Sequence, residues 1–267
     1  MASLIFNNNR ISWDIWKLAG EIGNIKIIDV LLDGANEKLM GALLKGLAFN
    51  HHNQLVDKYV SQIPRGTLSY FNHIDDLYEG IVAGDNLELF NEYQPSISNR
   101  LVYSAGFHDS EEILEKWILK ILEAKDLLNV LFNGYIVGGH LEKAKRIYER
   151  LDGHVENISA IPEDCIECFL YLEEIGLINP AHITTGIRSS SDIGLTPVLK
   201  FIVERDSDYV PMLFEKLLVS DDAKGLIWLY ERFHHVPEIA SLINKIKMNK
   251  VHAPINRCFV RWVRNQK

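Results

Sequence analysis

Apolar residues recur along this chain at intervals of three and four, and short polar stops break the pattern every few turns. In residues 16–36, WKLAGEIGNIKIIDVLLDGAN, Leu18, Ala19 and Ile22 fall at helical spacing. Gly23-Asn24 interrupts, and Ile25, Ile28, Leu31 and Leu32 form the apolar stripe of a second helix. Glycine tolerates the left-handed dihedrals that end a helix, so the pattern predicts two short helices joined by a tight turn. The same unit returns in residues 41–60, 77–93, 101–118 and 131–151. Their second stripes carry Leu55, Val56, Tyr59 and Val60; Leu87, Phe90 and Tyr93; Ile113, Leu114, Trp117 and Ile118; and Leu141, Ala144, Ile147 and Tyr148. Leu31, Leu55, Phe90, Trp117 and Ile147 are thereby expected in the core. The turn residues Asn24, His52, Asn86, Ser110 and His140 follow one another at steps of 28, 34, 24 and 30 residues. One helix pair cannot bury its apolar face alone, so the expectation is an all-α fold, an α-solenoid of stacked helix-turn-helix repeats.

Three stretches resemble ankyrin repeats. LAGEIGNIKIIDVLLDGAN looks like the pattern A-x3-G-H/N-L before a helix ending L-L-x-x-G-A. IVGGHLEKAKRIYERLDG is similar, with Gly139-His140-Leu141 at the turn, and GLTPVLKFIVERD resembles the opening G-x-T-P-L-H, with Leu199 in place of the histidine. Irregular repeats of this kind are similar to the ankyrin-like proteins of large DNA viruses. The resemblance implies a protein-binding scaffold, a viral factor engaging host proteins in the host cytoplasm. The alternative is a structural or assembly component of a virus particle or complex, packing against other subunits.

The pattern lapses after residue 152. A helix is expected from about Cys165 to Ile178, followed by a polar break that holds Pro180, Gly186 and Ser189-Ser190-Ser191. The expected organisation is therefore ankyrin-like repeats in 1–152, an irregular helix and linker in 153–192, and C-terminal repeats with a basic capping helix in 193–267. Pro197 should sit in the first turn of a helix, where its missing N–H costs little. Ser220-Asp221-Asp222 is either the turn within one pair or the gap between two.

Composition narrows the function. The chain has 267 residues, 47% hydrophobic and 24% charged, enough for a packed core and unlike a disordered chain. A formal charge of −8 argues against nucleic acid as a partner, because phosphate binding needs a positive contact surface. Cys165, Cys168 and Cys258 do not space like a disulfide framework, the N-terminal residues lack the pattern of a signal peptide, and no apolar run is long enough to span a membrane. An intracellular protein is expected.

No phosphate-binding, dinucleotide, zinc-protease or nucleophile-elbow motif occurs, so no catalytic residue, cofactor or metal ligand is expected. Cys165-Ile166-Glu167-Cys168 lacks a second ligand pair and reads as two cysteines buried in a helix. His51-His52 and His140 fall at turns, where an imidazole can satisfy backbone carbonyls; His234-His235 takes a structural reading too. The C-terminus is the one charged anomaly. Residues 239–267 hold seven Lys/Arg and no Asp/Glu, so residues 1–238 carry −15 against the whole chain's −8. Arg257, Arg261 and Arg264 share one helix face, with Phe259, Trp262 and Val263 on the other. That helix either caps the last repeat or docks its arginines on an acidic protein surface, including that of another copy.

Overall fold

The computed structural model describes residues 13–33, 39–63, 68–158, 160–179, 182–184, 194–220, 222–248 and 256–266. Ser189-Ser190-Ser191 lie outside the described residues. Among the described residues the fold is all-helical, without a strand. The chain divides into two compact units, Met1–Glu156 and Asn157–Lys267.

The first unit holds α1 (Trp13–Ile22), α2 (Ile25–Asp33), α3 (Met40–Phe49), α4 (Asn53–Val60), α5 (Leu68–Ala83), α6 (Leu87–Tyr93), α7 (Asn99–His108), α8 (Glu111–Glu123), α9 (Lys125–Val137) and α10 (Leu141–Arg150). These form five helix pairs, and the turns within them fall at the residues expected. The residue before each turn residue has positive φ: Gly23 (64°), His51 (58°), Asp85 (50°), Asp109 (58°) and Gly139 (83°). In the last four pairs the turn residue's N–H returns to the carbonyl five residues back, as in His52 N to Leu47 O at 2.9 Å and His140 N to Tyr135 O at 2.8 Å. This is the Schellman closure, which satisfies the orphan carbonyls at a helix end.

The first helices of the pairs contact one another in chain order, α1 with α3, α3 with α5, α5 with α7 and α7 with α9. Small residues make close approach possible. Six residues before the turn stand Gly46, Gly80, Ser104 and Gly134, all buried. A Cβ on Gly134 would meet the Tyr103 carbonyl oxygen at 2.5 Å, and one on Gly46 would meet that of Lys17. Nine residues before the turn, Leu43, Leu77, Leu101 and Leu131 are buried between these helices.

The turns also bind each pair to the one before it. His52 Nε2 lies 3.1 Å from Glu21 O, and His140 Nε2 lies 3.1 Å from Phe107 O. Asn86 Nδ2 donates to Ala48 O at 2.9 Å, and Ser110 Oγ donates to Val82 O at 2.6 Å. In every case the acceptor lies three or four residues before the preceding turn.

Of the expected core, Leu31, Trp117 and Ile147 are buried, but Leu55 and Phe90 are only half-buried. Val56, Tyr59 and Leu89 occupy the interior instead. Both errors fall on the shortest second helices, eight and seven residues long, in which a stripe of two turns does not fix its own phase.

The second unit holds α11 (Ile166–Glu174), α12 (Pro197–Arg205), a 3-10 turn (Ser207–Tyr209), α13 (Val210–Leu218), α14 (Ala223–Phe233), α15 (Pro237–Lys247) and α16 (Arg257–Asn265). Thr196 caps α12 by accepting from Leu199 N, and Pro197 occupies its first turn as expected. The α13 and α14 helices pack together, so the stretch around Ser220 and Asp222 is a turn between packed neighbours. Asn256 repeats the interlock of the first unit. Its Nδ2 donates to Ser220 O at 2.9 Å, its N–H to Leu218 O at 2.6 Å, and its Oδ1 accepts from Phe259 N. The helix from Cys165 is shorter than expected, ending at Glu174.

Candidate interaction surfaces

In the first helices, the positions seven and three residues before the turn share a face, being four apart. They carry Lys17 and Glu21, Lys45 and Phe49, Glu79 and Ala83, then Tyr103 and Phe107. The structure joins them into one surface. Lys17 pairs with Glu21 at 2.9 Å; Lys45 pairs with Glu79 and lies 5.2 Å from the Trp13 ring centre. Arg100 bridges Asp76 at 3.1 Å and Glu79. Phe49 of α3 meets His108 of α7 edge-on at 5.6 Å. Phe107 and His108 are exposed, and Phe107 stacks with Tyr103.

The ion pairs set the protonation of this surface. Burial alone would raise the Glu79 carboxyl, but hydrogen bonds and charge from Lys45 and Arg100 outweigh it and hold it below its ordinary value. Although His108 as a residue is exposed, its imidazole packs against Phe49 and Phe107; that partial desolvation of the ring depresses it, and the nearby Lys45 and Lys17 depress it further. The surface is thus a fixed set of paired charges around an aromatic shelf. Sequence reasoning missed it because its members lie far apart in the chain. The signal was present, since reading the five units in columns from their turns brings these residues side by side.

The three arginines of the C-terminal helix lie where the spacing placed them. Arg257, Arg261 and Arg264 are exposed on α16, whereas Phe259 and Val263 are buried and Trp262 is half-buried. Phe259 meets Phe214 edge-on at 5.6 Å, and Trp262 meets Tyr230 at 5.3 Å. The apolar face of α16 is thereby packed on α13 and α14.

The cysteine pair departs from the expectation of two helix-buried thiols. Cys168 is buried, but Cys165 stands before α11 as its N-cap, its sulfur accepting from Cys168 N at 3.2 Å. A short thiol side chain at that position meets an unsatisfied N–H of the first turn, a position the apolar pattern alone did not separate from the helix interior. His51 Nε2 lies 2.8 Å from Gly84 O, and His234 Nδ1 lies 3.1 Å from Tyr230 O, so these imidazoles serve backbone carbonyls. No group of three or more His, Cys, Asp or Glu side chains gathers into a possible metal site among the described residues. No helix among the described residues is long and apolar enough to cross a membrane. No family model, curated protein or solved structure matches the chain.

Proposed function

We propose that this chain is a non-enzymatic protein-protein interaction scaffold, an α-solenoid of ankyrin-like repeats that presents the first-helix surface of Met1–Glu156 to a protein partner. The reading includes the viral setting that the sequence resemblance implies, with a host protein as the partner. The observation that carries it is the aromatic shelf of Phe49, Phe107 and His108 set among ion pairs that already satisfy one another. Aromatic side chains supply contact area at small entropic cost, and paired charges need no reordering when a partner arrives. The interlocked turns support it further by holding successive first helices in fixed relation. Pull-down from the native cell with the unmodified chain and with Phe107→Glu tests it, circular dichroism confirming that both are folded. A partner captured by the first and lost by the second is the expected result. Equal capture by both would place the binding surface elsewhere.

A further inference from the structure

The aromatic shelf of the first unit ends on a cation at either side. Lys17 Nζ of α1 lies 5.7 Å from the centre of the Phe49 ring. From Phe49 the rings continue through His108 to Phe107, 4.9 Å from it, and to Tyr103, 6.3 Å further. Arg100 stands three residues before Tyr103 and seven before Phe107, on the same face of α7. The order across the surface is therefore a cation, four rings and a second cation.

Both end cations are paired, yet they reach further into solvent than the carboxylates that pair with them. The Arg100 side chain is 55% exposed, against 25% for Asp76 and 20% for Glu79; that of Lys17 is 34% exposed, against 22% for Glu21. Both bonds of Arg100 leave from Nη2, so among the described residues its Nε and Nη1 donate to no acceptor. A guanidinium has five N–H donors and an ammonium three, so each end can take a further carboxylate without releasing the one it holds. The potential over the rings has the same sign. Partial desolvation does most to depress the His108 imidazole, and after it Lys45 and Lys17 outrank Glu79, the carboxylate that opposes them.

We infer that the shelf receives an acidic peptide segment, with apolar or aromatic side chains over the rings and carboxylates on Lys17 and Arg100. The inference rests on the shelf being the binding surface, as proposed above, and names the chemistry of what it binds. Apolar side chains gain contact area on the rings, and carboxylates gain charge-assisted bonds at the two ends. A single-stranded nucleic acid also stacks on rings, but it carries a phosphate at every step. Glu21, Asp76 and Glu79 stand beside the cations, so evenly spaced phosphates meet carboxylates there. A peptide can place its charges at the ends alone.

Panning a random short-peptide library against the full chain, with the Phe107→Glu chain as counter-target, tests this. The enriched peptides should join Asp or Glu to aromatic or aliphatic residues. Their dissociation constants should rise at least about tenfold with Lys17→Gln/Arg100→Gln, stay within about threefold with Lys17→Arg/Arg100→Lys, and rise with salt. Circular dichroism and thermal melting check that every variant is folded. If no peptide prefers the unmodified chain to Phe107→Glu, the shelf is not the binding surface and both readings fall. Peptides that need Phe107 but carry no carboxylate, or that bind Lys17→Gln/Arg100→Gln equally well, keep the shelf and overturn the acidic partner. So does a labelled oligothymidylate that binds the unmodified chain more tightly than any enriched peptide and is lost with Lys17→Gln/Arg100→Gln.

Discussion

At the scale of single residues, burial and satisfaction come apart most clearly at Trp16. The residue is 2% exposed, yet its Nε1–H has no hydrogen-bond acceptor among the described residues. An unpaired buried donor carries its desolvation cost without return. Trp16→Phe should therefore leave stability within about 1 kcal/mol of the unmodified chain, whereas Trp16→Ala should cost about 3–5 kcal/mol through the cavity it opens. Urea denaturation measures both; a large loss in the phenylalanine variant would mean that the indole nitrogen is paired in solution. Gly134 is the opposite case, a residue whose value is the atom it lacks. Because a Cβ there meets the Tyr103 carbonyl, Gly134→Ala should destabilise by about 1–3 kcal/mol even though alanine favours helices. A gain in melting temperature would show that α7 and α9 have room to separate.

Among helices, the turn does the organising. Asn86→Ala removes the cap accepted by Leu89 N, the bond to Ala48 O and the bond to Asn53 Oδ1 together. A loss of about 1–3 kcal/mol is expected, larger than a cap alone supplies, and thermal unfolding reads it. Acid should act at the same level. His108 is depressed in the fold, so the unfolded chain binds its proton more readily; its contribution is whole above about pH 6.5 and falls as pH drops below that. Glu79 is also depressed, and its contribution is present above about pH 4.5 and lost as pH falls through its lower folded value. Stability should thus decline in two stages on acidification, and His108→Gln should remove the first. Unfolding curves across the pH series check this; an unchanged upper stage in that variant would assign it to another group.

How far these elements could be read from sequence follows from the range of the forces involved. Turns are local, written in a glycine, histidine, asparagine or serine and its neighbours, and all five within the first unit were legible. Phase is less local. Leu55 and Phe90 sit at the edge of their stripes, and only packing onto the adjoining helix decides whether Val56 or Leu89 turns inward instead. The first-helix surface is not local at all. Lys45, Glu79 and Arg100 meet because three helices align, and each looks like an ordinary solvated charge in its own segment. The arginine stripe of α16 was legible because its partners in amphipathicity lie within one helix.

The whole molecule is acidic with a basic end, and stability and charge should separate there. Trp262→Ala removes an aromatic side chain packed on Tyr230 and should measurably destabilise the second unit. Replacing Arg257, Arg261 and Arg264 by alanine should cost at most about 1 kcal/mol each, since exposed charges gain little in water. Chemical denaturation of both variants gives the comparison. A folded triple variant that no longer associates with a binder held by the unmodified chain would show that the basic end docks rather than caps.

The interlock between pairs has a consequence for how such a chain can change over time. The four bonds by which His52, Asn86, Ser110 and His140 reach back to the preceding pair's first helix each end on a main-chain carbonyl, which no substitution can remove. The position that supplies the bond need only offer a donor of suitable reach, and histidine, asparagine and serine all do so here. Lengths between turns can drift as well, as steps from 24 to 34 residues show, because slack is taken up outside the turn. Sequence identity can therefore erode while the geometry persists, so kinship among chains built this way should outlast its trace in the residues and be recovered first from the positions of their turns.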